Sequence, residues 1–412
     1  VPKPSERSSS SRTKRPAARD GPDRGRSRAP VPYSAAMWRP LLRSIAALAG
    51  AMAAAATVPR AVCSRGGPAL YAGDRAAQAE LARWVATRVI ELDGDVVYRS
   101  GEARFDGQAS VATYQMTLLG LGQTVRQHPE LRGELLPAMR IAARRLASPA
   151  TLAYAARVYG AHGVTRMAPG TGHAYLGYVG LGLGMMRQLA PDMPEAAVHD
   201  RITQALAARL AASETGLIET YPGETWPPDV AAVAGAIGLH GRATGHDWSP
   251  VLRPFADRFS ACAIDPETGY LVQRVTSGGC QRLDAPRGSG TAVAAYFLSF
   301  ADRDLSGRLH RALRERGHRE LLGFGGILED PTGTGRWDGN AGPGLLGVST
   351  GATGFGIGAA RAHGDRALYL SLHRTATLFG VPVRSPPGRS FAVGGLLGNA
   401  LLLAMLTAET PP

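Results

Sequence analysis

Twelve segments with helical periodicity follow one another from about residue 75 to residue 408, and they come as alternating kinds. One kind is small and apolar, as in Gly177-Tyr-Val-Gly-Leu-Gly-Leu-Gly184, Gly351 to Ala360 and Gly394 to Ala404. The other is amphipathic and rich in arginine, as in Glu130–Leu146 and Asp304–Arg316. Apolar residues recur at spacings of three and four: Val111, Tyr114, Leu118, Leu121 and Val125 on one segment, Val230, Val233 and Ile237 on another. Glycine costs a helix interior about 1 kcal/mol relative to alanine, so its use in the small members implies close approach of neighbouring helices. Small helices inside and charged helices outside make a closed double ring. Segments at 75–93, 110–127, 130–147, 172–190, 194–212, 228–244, 249–262, 288–302, 304–317, 345–362, 365–379 and 390–408 form six consecutive pairs. The fold they predict is an all-α (α/α)6 toroid, a barrel of six helix pairs over 74–410. Gly73-Asp74, Gly245-His-Asp247 and Gly364-Asp365 each set a helix-ending glycine before a capping aspartate, and Ser249-Pro250 is a helix start. Strand is expected only as a short hairpin near 269–285.

The loops at one end of such a ring form a funnel over the inner helices, so chemistry is sought there. Gly216-Leu-Ile-Glu219-Thr-Tyr221-Pro-Gly-Glu224-Thr-Trp226-Pro-Pro-Asp229 packs three carboxylates and two large aromatics into a Pro/Gly-broken loop just before an apolar helix. Carboxylates beside aromatic surface suit general acid/base work on a small or ring-shaped substrate. Asp229 also stands where a helix N-cap belongs; Glu219 and Glu224 have no such structural reason. Gly170-Thr-Gly-His173-Ala-Tyr175-Leu-Gly-Tyr178 opens a glycine-rich inner helix and adds an imidazole and two phenols. Arg336-Trp337-Asp338-Gly-Asn340-Ala-Gly-Pro343 feeds another, and its Asp338 and Asn340 could hold substrate polar groups or simply form a turn. Gly347-Val-Ser349-Thr-Gly351 fits a nucleophile elbow in letters only, because that motif needs a strand before it. No metal-binding spacing and no strand-linked G-x-G-x-x-G occurs, so neither metal nor cofactor is expected.

Charge narrows the field further. The formal net charge is +13, but nine Lys/Arg against three acids fall within residues 1–36, leaving about +7 scattered on helical faces. No basic stripe interleaved with aromatics exists, so nucleic acid is not an expected partner. Lysine occurs only at Lys3 and Lys14, which removes P-loop, kinase and Schiff-base chemistry from the body. Residues 1–36 read as a disordered basic head, lying upstream of a start at Met37. Residues 37–60, a basic start and a small apolar run with an A-x-A-like site at Ala54-Ala-Ala56, read as a signal peptide or membrane anchor. The protein is therefore expected to be exported, periplasmic or secreted, touching a membrane only through that segment; a homo-oligomer stays open. Cys63, Cys262 and Cys280 are an odd set without metal spacing, read as small apolar residues rather than a Cys262–Cys280 disulfide.

Five blocks, in order from about Thr113 to Gly380, resemble the linalool dehydratase/isomerase domain family. They are Gly172-His173-x-Tyr175-Leu, the Gly216–Asp229 loop, Gly245-His-Asp247-Trp, Asp265-Pro-Glu-Thr-Gly269-Tyr270 and Asp338-Gly-Asn-Ala-Gly342-Pro. The resemblance implies an (α/α)6 barrel that needs no cofactor and acts on a small hydrophobic, terpenoid-like alcohol as a hydro-lyase or isomerase. Glu219 or Thr220, and Asp229, stand where that family carries two cysteines. On this reading Glu219 or Asp229 is the acid/base and His173 and Tyr270 orient the hydroxyl. Tyr178 and Trp226 wall the cavity, and Tyr175, Tyr221, Glu224, Asp338 and Asn340 contact substrate. Two rivals remain: a carbohydrate-active (α/α)6 enzyme using paired carboxylates, and an exported binding protein without chemistry.

Overall fold

The structure, a computed structural model, describes residues 35–332 and 344–409. Two units are distinguished, Val1–Ala54 and Ala55–Pro412. In the first, the described residues belong to helix α1 (Ala35–Cys63), which continues into the second. The expected head lies almost wholly outside the described residues. The helical run Trp38–Tyr71 is long and apolar enough, by length and composition, to cross a membrane.

The second unit is a double ring of helices. After α2 (Gly67–Tyr71) come α3 (Arg75–Glu91), α4 (Ala103–Gln127), α5 (Arg132–Leu146), α6 (Pro149–Leu152) and α7 (Tyr154–Met167). They are followed by α8 (Leu176–Leu189), α9 (Ala196–Ala212), α10 (Pro227–Thr244), α11 (Ser249–Ala263), α12 (Gly288–Leu298) and α13 (Arg303–Ala312). Helices α14 (Thr350–Ala362), α15 (Arg366–Gly380) and α16 (Gly395–Leu406) complete the chain. The inner ring is α4, α8, α10, α12, α14 and α16, each packed on the next, with α16 returning to α4. Helices α3, α5, α9, α11, α13 and α15 pack outside it. This is the (α/α)6 toroid that the alternation of small and arginine-rich segments predicts.

Glycines fix how closely the inner helices approach and in which direction they run. A Cβ on Gly177, near the start of α8, would lie 2.6 Å from the backbone nitrogen of Val233 near the start of α10. One turn on, Gly180 meets Ala236, and Gly184 meets Leu239. The same forward order links Gly235 to Phe297, Gly358 to Met405 and Gly120 to Leu403. Six inner helices therefore run parallel, and all their N-termini open on one end. Gly177→Ala forces two backbones apart, so we expect a loss of about 1–3 kcal/mol. It would be read as a lower urea midpoint at unchanged slope; an unchanged midpoint would show that the ring tolerates a wider spacing.

Local signals behave as their chemistry predicts, with instructive exceptions. Asp74 caps α3 through the Ala77 amide at 2.9 Å, and Asp365 caps α15 through Leu368 at 3.1 Å. Asp247 instead serves the Ser249 amide and hydroxyl. Two helical pieces at 149–167 were not expected, although Ser148-Pro149 is the same start signal as Ser249-Pro250. The expected hairpin near 269–285 reduces to isolated pairings, Val272 with Pro286 and Val275 with Arg282. Continuous strands lie elsewhere. β1 (His318–Leu321), β2 (Phe324–Leu328), β3 (Gly344–Leu345) and β4 (Val348–Ser349) form a sheet in the order β1-β2-β4-β3. β5 (Pro382–Ser385) and β6 (Gly388–Phe391) form a hairpin. The β1–β2 turn uses Leu322 and Gly323, both at positive φ, in place of the Asn-Gly that marks such turns in sequence. Cys262 and Cys280 are joined as a disulfide, correcting their reading as unpaired apolar residues.

Candidate active site

The N-terminal ends of α4, α8 and α10 bring the acidic loop and the tyrosine-rich helix start together. Ala174, just before α8, donates its amide to the Glu219 carbonyl at 2.8 Å, which stitches the two sequence blocks side by side. The loop then folds back on itself. Thr220 donates to the Glu224 carbonyl at 2.8 Å, and Glu224 donates to the Tyr221 carbonyl at 3.0 Å. Gly223, at φ 76°, makes that tight reversal feasible. Trp226 is the residue that precedes α10, so Asp229 lies inside the first turn and does not act as the N-cap.

Asp229 is the deepest acid of the loop. Tyr178 donates its hydroxyl to it at 2.5 Å. Burial pushes the Asp229 carboxyl up to about 6, against the opposing pull of the Tyr178 and Thr220 hydroxyls, and nearby Glu224 adds to the rise. By accessible surface the residue is only half-buried. Burial also pushes the Tyr178 phenol far up, so it remains a donor.

The other two acids are tied down as anions. Glu224 takes a bidentate pair from Arg104, at 3.2 and 2.8 Å, and a third bond from the Trp226 indole at 2.9 Å. Burial works to raise it, but these donors win and hold it below the ordinary carboxylate range. Glu219 bonds to Arg166 at 2.6 Å and to the Ser277 hydroxyl. It too is held low, burial again being outweighed by Ser277, Arg166 and His173. His173 is buried, with Nε2 3.3 Å from Glu219 and Nδ1 3.2 Å from Arg209. Burial, then Arg209, push its imidazole down to about 4, so it is neutral at pH 7.

Aromatic rings gather beside these acids. Tyr221 stacks on Tyr159 at 4.9 Å, tilts against Tyr175 at 5.1 Å and lies under the Arg104 guanidinium at 4.8 Å. Its hydroxyl accepts from Gln108 at 2.8 Å and lies 3.1 Å from that of Tyr154. Tyr175 adjoins Tyr178, which meets Phe297 edge-on. Two of the cavities among the described residues lie apart from these acids. One, of about 490 Å³, shares Tyr154 as a wall and is lined by Tyr98, Asp106, Tyr114, Arg145 and Arg157. The other, of about 600 Å³, lies at the C-terminal end of α10, among Arg242, His246 and Trp248. Among the described residues no group of three His, Cys, Asp or Glu side chains offers a metal cage.

The candidates named from sequence therefore divide. Glu219, Asp229, His173, Tyr175, Tyr178, Tyr221, Glu224 and Trp226 belong to one neighbourhood. Tyr270 does not: it is fully buried, with its ring packed beneath Gly317. Asp338 and Asn340 lie outside the described residues. Sequence reading missed Arg104, Gln108, Tyr154, Tyr159, Arg166, Arg209, Arg274 and Ser277. Tyr154, Tyr159 and Arg166 fall in the unread helices; the Ser148-Pro149 start could have found them. The arginines carry no local signature, because each is chosen by a carboxylate or ring 36 to 120 residues away.

No family model matches this chain, and no curated protein does. Among solved structures it is similar to an inactive variant of an alpha-1,6-mannanase from Salegentibacter sp. HEL1_6, in complex with alpha-1,6-mannotriose. Identity is 11% over 79% of this chain and 98% of that one, with a TM-score of 0.47. These findings correct the resemblance drawn from five sequence blocks: the chain is not placed in the linalool dehydratase/isomerase family, and the terpenoid hydro-lyase or isomerase reading falls with it. Physically, the blocks are mostly Gly/Asp turn and cap chemistry. Any toroid needs such chemistry at the ends of closely spaced helices.

Proposed function

We propose that this protein is a carbohydrate-active enzyme that hydrolyses a glycosidic bond at the N-terminal mouth of its ring. Asp229 is the proton donor and Glu224 the ionised partner. One observation carries the reading: a deep carboxyl, hydrogen-bonded by Tyr178, beside a second carboxylate pinned as an anion by Arg104. Two acids whose surroundings push them in opposite directions are the arrangement glycoside cleavage uses.

In the step, protonated Asp229 gives its proton to the glycosidic oxygen as the bond from that oxygen to the anomeric carbon breaks. Water adds to the anomeric carbon, and its proton passes to Glu224. Each product leaves with a hydroxyl, and the two carboxyls return to their starting states by exchange with solvent. The tyrosine and tryptophan rings give the apolar faces of the sugar a surface to lie on, while Arg104 keeps Glu224 ionised until it takes the proton.

The test is release of reducing ends from a panel of oligosaccharides between pH 4 and pH 8. Because the donor must be protonated, the rate should fall about tenfold per pH unit above roughly 6. On the acid side it should fall only once Glu224, held low by Arg104, becomes protonated. A rate flat from pH 5 to pH 8, or no cleavage of any member of the panel, defeats the proposal.

A further inference from the structure

Two cations at the mouth stay outside direct ion pairs when their neighbours are paired. Arg104 pairs with Glu224, Arg166 with Glu219, Arg282 with Asp265 and Arg287 with Asp284. The Arg274 guanidinium lies over the Trp226 ring, 5.5 Å from its centroid. Among the described residues it makes no direct ion pair and no side-chain hydrogen bond: it acts on Glu224 only through space, and its buried Nε has no partner. Val275 donates its amide to the Thr225 carbonyl at 3.1 Å, so the backbone holds Arg274 alongside the acidic loop.

Two further observations point the same way. Arg209 bonds only to His173 and the carbonyls of Thr171 and Gly172, and it too meets its carboxylate, Glu219, through space and without a direct ion pair. Arg104, Arg166, Arg209 and Arg274 thus face Glu219 and Glu224 with two cations in excess whenever Asp229 is protonated. The α4, α8 and α10 N-termini add partial positive charge at the same place. Next to Arg274, the buried Gln273 has an unpartnered Oε1 where Pro228 and Gly290 meet. A buried acceptor beside a free guanidinium suits a ligand that brings both hydroxyls and an anion.

We propose that the substrate of this mouth is an anionic glycan and that Arg274 is the residue that reads its acidic group. The inference rests on the glycan reading above. The Trp226 ring flanks the guanidinium, and a guanidinium's planar N–H fork matches a carboxylate or a sulfate.

The test uses the full chain and its Arg274→Gln variant, with hexuronate oligosaccharides of several linkages, the same chains after carboxyl reduction, and sulfated oligosaccharides. Binding is measured by calorimetry and cleavage by reducing ends. Wild type should prefer the acidic chains over their reduced counterparts by about tenfold or more, and Arg274→Gln should bring that ratio near one. A preference seen only with sulfated chains assigns the same anion chemistry to sulfate. Equal handling of acidic and neutral chains by wild type overturns the inference, even if Arg274→Gln fails to fold. So does a preference that survives in the variant, or no binding of any chain. Failure of the hydrolytic reading looks different: an acid preference in binding with no bond cut.

Discussion

Asp229→Asn is expected to lower glycan turnover by about 10²–10⁴-fold, the usual worth of a positioned general acid, and to leave the protein more stable at neutral pH. Asparagine has the shape of the neutral carboxyl and can still accept the Tyr178 hydroxyl, but it has no proton to give. The stability sign follows from linkage. Folding holds the Asp229 carboxyl above its ordinary 3.8, at about 6, so the folded state favours the protonated form. The cost of ionising it is absent at pH 3, grows through the interval between those values, and is complete above about 6. Asparagine removes that cost, a gain of the order of 2 kcal/mol at pH 7 that should vanish near pH 3. Urea melts of both proteins at the two pH values, beside turnover at pH 5, check the pair of claims together. An inactive variant that is also less stable at pH 7 would mean that Asp229 holds the ring together, and its role as an acid would be lost.

Cys262→Ala with Cys280→Ala should lower stability by about 3 kcal/mol, from the loop-closure entropy of an 18-residue span. The segment so closed bears Gln273, Arg274 and Ser277, which means the bond constrains the part of the mouth that bonds Glu219 and stacks on Trp226. The double variant avoids a stray thiol, and wild type melted under reductant should converge on it. Coincident midpoints with and without reductant would show that packing of Tyr270, Leu271 and Val272 already fixes the segment. Acid preference in the glycan assay should weaken along with the loop, because Arg274 then loses its fixed seat.

The ring was legible in the sequence because its cause is local and repeated. Each small helix shows its glycines and each outer helix its arginine face, so most segments fall close to helices such as Arg75–Glu91 and Pro227–Thr244, although the helix ending at Gln127 begins at Ala103 and the segments from 345 and 390 open on strand residues. The acidic loop was legible for a similar reason, since Glu219, Glu224 and Asp229 lie within eleven residues. What sequence could not show is which acid goes deep. Glu224 is held low by Arg104, 120 residues before it, whereas Asp229 is raised by burial, against the pull of Tyr178, 51 residues before it. Tyr270 failed as a candidate because burial beneath Gly317 depends on a sheet whose turn carries no sequence signature. Turn and cap motifs were mistaken for kinship because they are dictated by helix ends, whatever the helices enclose.

Closure of the inner ring has a consequence for synthesis. Gln123 of α4 bonds to the Ala404 carbonyl of α16 across 281 residues, and its amide oxygen accepts from Tyr296 at 3.0 Å. The tyrosines, arginines and acids of the mouth all leave the ribosome before residue 288, yet α4 lacks its second neighbour until the last helix has emerged. A nascent chain therefore exposes the flank of α4 that carries Gly120 and Gln123 for most of translation. That flank is the surface on which a chaperone, or a misplaced copy of α8, can act before the toroid shuts.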